Sequence, residues 1–198
     1  MRRIVFATGN EGKLREIRNI MADLPVEIVS MKEAGIEAEI EETGETFEEN
    51  AKIKAQAVAT HTDDIVLADD SGLEIDYLNE EPGVYSARYL GENTSYEIKN
   101  RTILNRLAGV EKEKRTARFV CAIAAVLPNK ETLVTRETIE GYIGERPAGE
   151  NGFGYDPIFY VEEYQCSTAE LSEEQKNAIS HRGKALRAMK KLLHEYGV

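Results

Sequence analysis

The sequence is poor in cysteine and contains no long apolar run. Its two cysteines, Cys121 and Cys166, lie far apart and form neither a CxxC pair nor part of a histidine cluster. This argues against a zinc site and against a disulfide scaffold. Cys121 begins the longest apolar run, Cys121 to Leu127, so we expect it to be a buried free thiol. A run of that length is far too short to cross a bilayer.

The sequence also lacks an excess of positive charge and the apolar segment of a secretion signal. Lys and Arg number 25 against 36 Asp and Glu, a net charge of −11. This disfavours nucleic acid or an anionic membrane as a partner, because phosphate-rich surfaces attract basic faces. A small polyphosphate stays compatible with it if local cations or a metal ion offset the charge. Only a short apolar stretch follows Met1-Arg2-Arg3, so we expect a cytoplasmic protein.

The pattern along the 198 residues indicates one domain over residues 1–198, with no repeat, linker or low-complexity tract. Strand-like apolar segments alternate with segments whose apolar residues recur at helical spacing. This predicts an α/β fold with a mixed β-sheet flanked by helices. One strand is predicted from Ile65 to Ala68, and Leu73 to Asp76 are predicted to be extended beyond it. Capping-box patterns predict three helix starts, at Thr46, Thr94 and Ser172. A last helix is predicted from about Ser180, with four buried residues, Leu186, Met189, Leu193 and Tyr196.

A loop with two glycines, Thr8-Gly9-Asn10-Glu11-Gly12-Lys13, separates the first predicted strand from a helix. A loop in that position presents backbone N–H groups to a phosphate. Gly9 and Gly12 let the backbone approach closely, and Lys13 adds a positive charge. The spacing is not that of a P-loop, which has four residues between its glycines and Ser or Thr after the Lys. The alternative is a turn that uses glycine for geometry alone.

Two adjacent carboxylates follow another predicted strand, in the sequence Asp69-Asp70-Ser71-Gly72. Ligands of α/β proteins bind at the ends of strands, and Mg²⁺ takes one or two carboxylates with water and substrate oxygens. Because side chains alternate along an extended segment, only one of the two acids faces a site there. The alternative is a polar turn.

An acidic stretch, Glu37 to Glu49, precedes a predicted helix that carries a lysine among its inward-facing residues. Such a run is typical of a solvated face, although Glu39, Glu41 or Glu42 would complete a metal site with an aspartate. Lys54 lies in the apolar stripe of the helix. Its charge either extends out to solvent or points into a cleft.

Two further segments have the composition of a nucleotide site. Gly152-Phe153-Gly154-Tyr155-Asp156-Pro157 places aromatic residues between glycines, and an exposed Phe on a turn is a stacking platform for a base. The alternative is a hairpin whose aromatics fill a core edge. Ser180-His181-Arg182-Gly183 begins the last helix with two cations, where the helix dipole disfavours them unless an anion or a base carbonyl uses them.

Four ordered motifs together resemble the inosine triphosphate pyrophosphatase (Ham1-like) family. They are Phe6 to Lys13, Ala68 to Leu73, Gly152 to Pro157 and Ile179 to Lys184, and Pro82 to Arg88 also matches the family pattern. The resemblance spans essentially the whole chain. It implies a Mg²⁺-dependent homodimer with an elongated α/β fold and a central active-site cleft between two lobes. It also implies hydrolysis of non-standard purine nucleoside triphosphates (ITP, dITP and XTP) to monophosphate and pyrophosphate.

The resemblance implies a role for each motif residue. Asp70 is the proton acceptor and a metal ligand, and Glu42 is the second metal ligand. The implied substrate-binding residues are Thr8, Gly9, Asn10, Glu11, Gly12, Lys13, Lys54, Ser71, Phe153, Gly154, Tyr155, Asp156, Lys176, His181 and Arg182. Two other functions stay open: a pyrophosphatase for another modified nucleotide, and a nucleotide-binding module without turnover. The set of Lys13, Lys54 and the paired aspartates argues against the module, because binding alone does not require a positioned base.

Overall fold

A computed structural model describes residues 2–198 of the protein. Within that range, seven strands form one sheet in the spatial order β2-β1-β3-β4-β5-β6-β7. Their bounds are β1 Arg2–Phe6, β2 Val26–Ser30, β3 Ile65–Ile75, β4 Thr116–Val126, β5 Thr132–Ile143, β6 Phe159–Val161 and β7 Cys166–Ser167. β1 pairs in parallel with β2 and β3, whereas β6 pairs antiparallel with β5 and β7. The predicted mixed sheet of an α/β fold is therefore confirmed.

The main helices are α1 Glu11–Ile20, α2 Phe47–Ala59, α3 Tyr96–Arg106, α4 Glu173–Ile179 and α5 His181–Glu195. The predicted capping boxes at Thr46 and Ser172 are both formed. The prediction of a cap at Thr94 is wrong by one residue, because Ser95 accepts the bond from the N–H of Ile98. None of the helices between residues 2 and 198 combines the length and apolar character needed to cross a membrane.

The chain divides into two compact units, and β3, β4 and β5 contribute residues to both. The first unit contains residues up to Asp70, Cys121–Glu137 and Arg182–Val198. The second contains Ser71–Val120 and Thr138–His181. The expectation of a single domain with a central cleft stays a prediction.

The core of the first unit packs apolar residues of β1, β3 and β4 against α1 and α5. Cys121 belongs to this core as a fully buried free thiol, as predicted. Leu186, Met189 and Leu193 are buried too, but the prediction for Tyr196 is wrong. Since α5 ends at Glu195, Tyr196 lies beyond it, is 47% exposed, and donates from its hydroxyl to Glu131 at 2.8 Å.

The core of the second unit gathers residues of β3, β4, β5 and β6 with one side of α3. Leu73 and Ile75 enter it from the later part of β3, where the predicted extended segment is confirmed. The prediction of a strand end at Ala68 is wrong, because β3 continues without a break to Ile75. The strand continues because Asp69 and Asp70 are buried and find partners in the first unit, described below, instead of forming a turn.

Candidate active site

The loop after β1 is built around the N-terminus of α1. Asn10 caps the helix, since its Oδ1 accepts a bond from the backbone N–H of Lys13 at 3.1 Å. The Asn10 N–H in turn donates to Thr8 Oγ1 at 3.1 Å. A Cβ on Gly12 would lie 3.1 Å from the capping oxygen, whereas a Cβ on Gly9 would meet nothing within 4 Å. Packing therefore does not require Gly9, and its open space suits the approach of a ligand to the backbone.

Asp69 lies at the centre of a buried ionic cluster in the first unit. Its side chain is 2% exposed and pairs with Lys13 Nζ at 2.9 Å and with Arg182 Nε at 3.3 Å. Arg182 also contacts Glu16 at 3.3 Å. Burial alone would raise the pKa of Asp69, but the charges of Lys13, Arg182 and Lys54 outweigh burial and hold it below its ordinary value. The lowered pKa favours the anionic form of Asp69, which pairs with two cations.

Asp70 faces a different set of side chains. Lys54 Nζ lies 2.9 Å from Glu42 Oε1 and 3.5 Å from Asp70 Oδ1, so α2 points its lysine at carboxylates and not out to solvent. Burial raises the pKa of Asp70 to about 6, Glu42 and Asp69 act in the same direction, and Lys54 together with Asn50 opposes them. Burial lowers the pKa of Lys54, but the charges of Asp70, Asp69 and Glu42 outweigh burial and raise it above its ordinary value. Asp70 thus has the properties of a general base, with a pKa close to working pH.

Glu42 and Asp70 are the carboxylates available for a metal ion. Among residues 2–198, no three His, Cys, Asp or Glu side chains gather into a set that would hold a metal by protein ligands alone. Two carboxylates at one lysine fit Mg²⁺, which commonly takes one or two carboxylates and fills its shell with water and substrate phosphate oxygens. They do not fit zinc, which requires three or four protein ligands.

A second cluster of predicted residues lies within the second unit, around the exposed ring of Phe153. This side chain is 63% exposed, and Lys176 Nζ lies 5.1 Å above its ring centroid. Asp156 is buried and fixes the turn, because its Oδ2 accepts from the N–H of Phe153 at 2.8 Å and from Lys176. Its Oδ1 accepts from the hydroxyl of Thr168 at 2.8 Å. Asp156 therefore supports the turn from inside.

Tyr155 and His181 are likewise held by the second unit. The Tyr155 ring is buried, and its hydroxyl donates to the carbonyl of Ser86 at 2.6 Å. His181 stacks on Phe119 with ring centroids 5.1 Å apart and planes 20° apart. The segment from Gly152 to Pro157 therefore exposes Phe153 on an anchored turn. Its Tyr155 fills a core edge, as the alternative interpretation required.

The predicted residues fall into two groups, one in each unit. The first unit contains the loop from Thr8 to Lys13 with Lys54, Glu42, Asp70 and Arg182, while the second holds Phe153 to Asp156, Lys176 and His181. Ser71 is the first residue of the second unit, directly after Asp70. Glu11 lies exposed in the first turn of α1. The sequence suggested neither Glu16 nor Thr168, because a lone Glu in a helix and a lone Thr beside a short strand carry no motif.

The two cations at the start of α5 have different environments. Arg182 forms ion pairs with two carboxylates of the protein itself, Asp69 and Glu16. These pairs account for a cation at a position that the helix dipole disfavours. Its predicted contact with the substrate stays a prediction.

Comparisons with known proteins agree over the full length of the chain. A sequence model of the Ham1 family matches residues 4–192. A protein of Bacillus subtilis named dITP/XTP pyrophosphatase is 50% identical over 193 residues, covering 98% of this chain and 98% of that protein. Its namesake from Bacillus licheniformis is 49% identical over 195 residues, covering 98% of this chain and all of the relative.

Solved structures give the same result for the fold. The Ham1 protein of Staphylococcus aureus aligns with a TM-score of 0.91 at 44% identity, covering 98% of this chain and 100% of that one. A HAM1 protein from Coxiella burnetii aligns with a TM-score of 0.92 at the same identity and coverage.

Proposed function

The chain belongs to the Ham1 family, and we propose that it hydrolyses non-standard purine nucleoside triphosphates, ITP, dITP and XTP, to the monophosphate and pyrophosphate. Its similarity to proteins named dITP/XTP pyrophosphatase supports this substrate class. The observation in the structure that carries the proposal is that two adjacent carboxylates have different ion-pair partners and pKa values shifted in opposite directions. Asp69 is ionised and anchors cations, whereas the pKa of Asp70 is raised by burial beside Lys54 and Glu42. Such a divergence separates a structural anion from a base.

Cleavage between the α- and β-phosphates requires charge neutralisation and a positioned water. We assign the backbone of Thr8 to Lys13 to the phosphates, with Lys13 and Lys54 balancing their charge. Asp70 orients the attacking water and accepts its proton, because its pKa of about 6 lets it be ionised near neutral pH and still take up a proton. Its contact with Lys54 holds the carboxylate in place.

We propose Mg²⁺ as the cofactor, held by Glu42 and Asp70 together with substrate oxygens. When bound, Mg²⁺ supplies charge neutralisation to the departing pyrophosphate and makes water more acidic. Lys54 lies between the same two carboxylates, so the free protein balances their charge with a cation of its own.

We assign recognition of the base to the second unit. The exposed Phe153 ring offers a stacking surface, and base–aromatic stacking contributes about 1–3 kcal/mol in comparable systems. Selection of a 6-oxo purine over adenine needs donors aimed at O6, where adenine carries an amino group. Backbone N–H groups, or an N–H of the His181 imidazole, fit that need. A site whose donors adenine leaves unpaired discriminates by about 10⁴-fold in favourable cases.

From the resemblance alone we also propose that the protein is a cytoplasmic homodimer. Light scattering on the purified chain measures its mass directly. A mass near 22.2 kDa would contradict the dimer, and twice that mass would support it.

The test of the function is a substrate panel with direct separation of pyrophosphate from orthophosphate. The purified protein is incubated with Mg²⁺ and ITP, dITP, XTP, GTP, ATP or dUTP, and nucleotide products are resolved by ion-exchange chromatography. We expect IMP and pyrophosphate from ITP at an efficiency at least about 100-fold above that for ATP. Orthophosphate or IDP as the first product would contradict the proposal, and a preference for dUTP would favour a pyrimidine-directed enzyme instead.

A further inference from the structure

One face of α3 holds the turn that carries Phe153. Tyr96, Lys99 and Asn100 are spaced three and four residues apart, so they lie on the same side of the helix. Asn100 Nδ2 donates to the carbonyl of Gly154 at 3.0 Å. The Tyr96 ring meets the Tyr155 ring edge-on, with centroids 5.2 Å apart.

The same helix face also reaches the segment that anchors Tyr155. Lys99 is 1% exposed, and its Nζ donates to the carbonyl of Ala87 at 2.6 Å while lying 4.7 Å from the Tyr96 ring centroid. The adjacent carbonyl, that of Ser86, accepts the bond from the Tyr155 hydroxyl. The turn and its support are therefore fastened to one helix.

The buried amide of Asn100 is only partly satisfied by hydrogen bonds. The side chain is 6% exposed, and its Oδ1 is buried without a hydrogen-bond partner among residues 2–198. A buried acceptor without a partner is unfavourable, so the one hydrogen bond of the amide has to offset the cost of burying its Oδ1. What the amide contributes is its one bond, from Nδ2 to the carbonyl of Gly154.

That bond lies in a segment with two glycines. Phe153 stands between Gly152 and Gly154, which have φ of +75° and +68°, and glycines give a segment many alternative conformations. Asp156 fixes the N–H of Phe153. Asn100 fixes the carbonyl of the next residue, so the exposed ring is held from both sides.

We propose that Asn100 is a positioning residue for the purine base. By fixing the carbonyl of Gly154, it keeps the Phe153 ring in the orientation that stacks on the base. The inference rests on the proposed function, since it takes Phe153 as the base platform. A platform that is already ordered loses less conformational freedom when the substrate binds. The benefit is equal in ground state and transition state, so it belongs to KM and not to kcat.

The test compares Asn100→Leu with a matched control on the same helix, Ile103→Val. Ile103 is fully buried in the core of the second unit. Its side chain makes no hydrogen bond, so shortening it perturbs α3 and leaves the bond from Asn100 to Gly154 in place. Five quantities are measured on the full chain: KM and kcat for ITP, the dissociation constants of IMP and of pyrophosphate by calorimetry, and Tm.

We expect Asn100→Leu to raise KM for ITP and the dissociation constant of IMP by about five-fold, the effect of one hydrogen bond. We expect kcat and the pyrophosphate affinity to change by less than about two-fold. We expect Tm to change little, because loss of the donor to the Gly154 carbonyl and removal of the Oδ1 without a partner have opposite effects on stability. Ile103→Val is expected to lower Tm and leave KM unchanged. If Asn100→Leu does not fold, Asn100→Ala is measured by the same criteria.

The outcomes distinguish failure of the proposed function from failure of the role of Asn100 alone. Wild-type protein that releases no pyrophosphate from ITP would overturn the proposed function, and this inference with it. Wild-type activity with unaltered KM and IMP affinity in the variant would overturn the inference alone. So would a parallel loss of IMP affinity, pyrophosphate affinity and Tm, because that pattern describes general damage to the fold.

Discussion

Replacing Asp69 by Asn tests whether this carboxylate anchors Lys13 and Arg182. Breaking a buried ion pair from one side costs about 3–5 kcal/mol, because the opposite charge is left buried. Lys13 is 22% exposed and can turn to water, while Arg182, at 8%, keeps Glu16 at 3.3 Å. Both features reduce the penalty, so we expect the lower end of the range, a loss of about 3 kcal/mol in the free energy of unfolding.

The loss is measured by urea unfolding followed by far-UV circular dichroism, since the chain contains no tryptophan. For a chain of this length, it corresponds to a fall of about 6–12 °C in Tm. Asp64→Asn is the matched control. Asp64 pairs with Arg3 at 2.6 Å, but the two side chains are 24% and 42% exposed, and exposed pairs contribute at most about 1 kcal/mol.

The pH dependence of the Asp69 effect follows from the direction of its pKa. The folded-state pKa lies below the ordinary value, so the ionised carboxylate contributes stability above about pH 4. That contribution is lost as the pH falls through the folded pKa. The difference between wild type and Asp69→Asn is therefore constant from about pH 5 to 8 and narrows only in stronger acid. A loss below about 1 kcal/mol at pH 7, or one no larger than that of Asp64→Asn, would refute the anchoring role.

Three other substitutions test the remaining assignments. Asp70→Asn is expected to lower ITP turnover by about 10³-fold, with Tm at pH 7 no lower than wild type, since burial disfavours the charge that the substitution removes; near-normal turnover would remove its assigned role. Phe153→Ala is expected to raise KM for ITP by roughly ten-fold or more in steady-state kinetics, and an unchanged KM would exclude base stacking. Tyr155→Phe removes the bond to the carbonyl of Ser86, and we expect a loss of about 1 kcal/mol in urea unfolding; equal stability would show that this bond contributes nothing.

The local features of the fold followed from the sequence because their causes are local. The boxes at Thr46 and Ser172 use residues within one helical turn, so a single-sequence pattern contains all the information they need. The apolar content of the Cys121 segment likewise required burial. The error at Tyr196 arose because helical spacing alone does not state where a helix ends.

The partners of the site residues did not follow from the sequence because they are distant along the chain. Asp69 meets Arg182 across 113 residues, and Asn100 meets Gly154 across 54. The motifs identified which side chains carry chemistry, but only the fold decides which of them meet. Asn100 belongs to no motif, and a polar residue within a helix is ordinarily solvated, so no pattern in the sequence distinguishes it from other helix residues.

The adjacency of Asp69 and Asp70 is the point at which local and distant information combine. Side chains alternate across an extended strand, so two neighbouring acids on β3 are directed to opposite faces, one to Lys13 and Arg182 and the other to Lys54 and Glu42. Had Asp69 and Asp70 formed a polar turn, the alternative interpretation of their sequence, nothing would have forced this separation. Because β3 runs on to Ile75, the alternation of side chains gives the two acids different principal partners, although the charge of Lys54 acts on both of them.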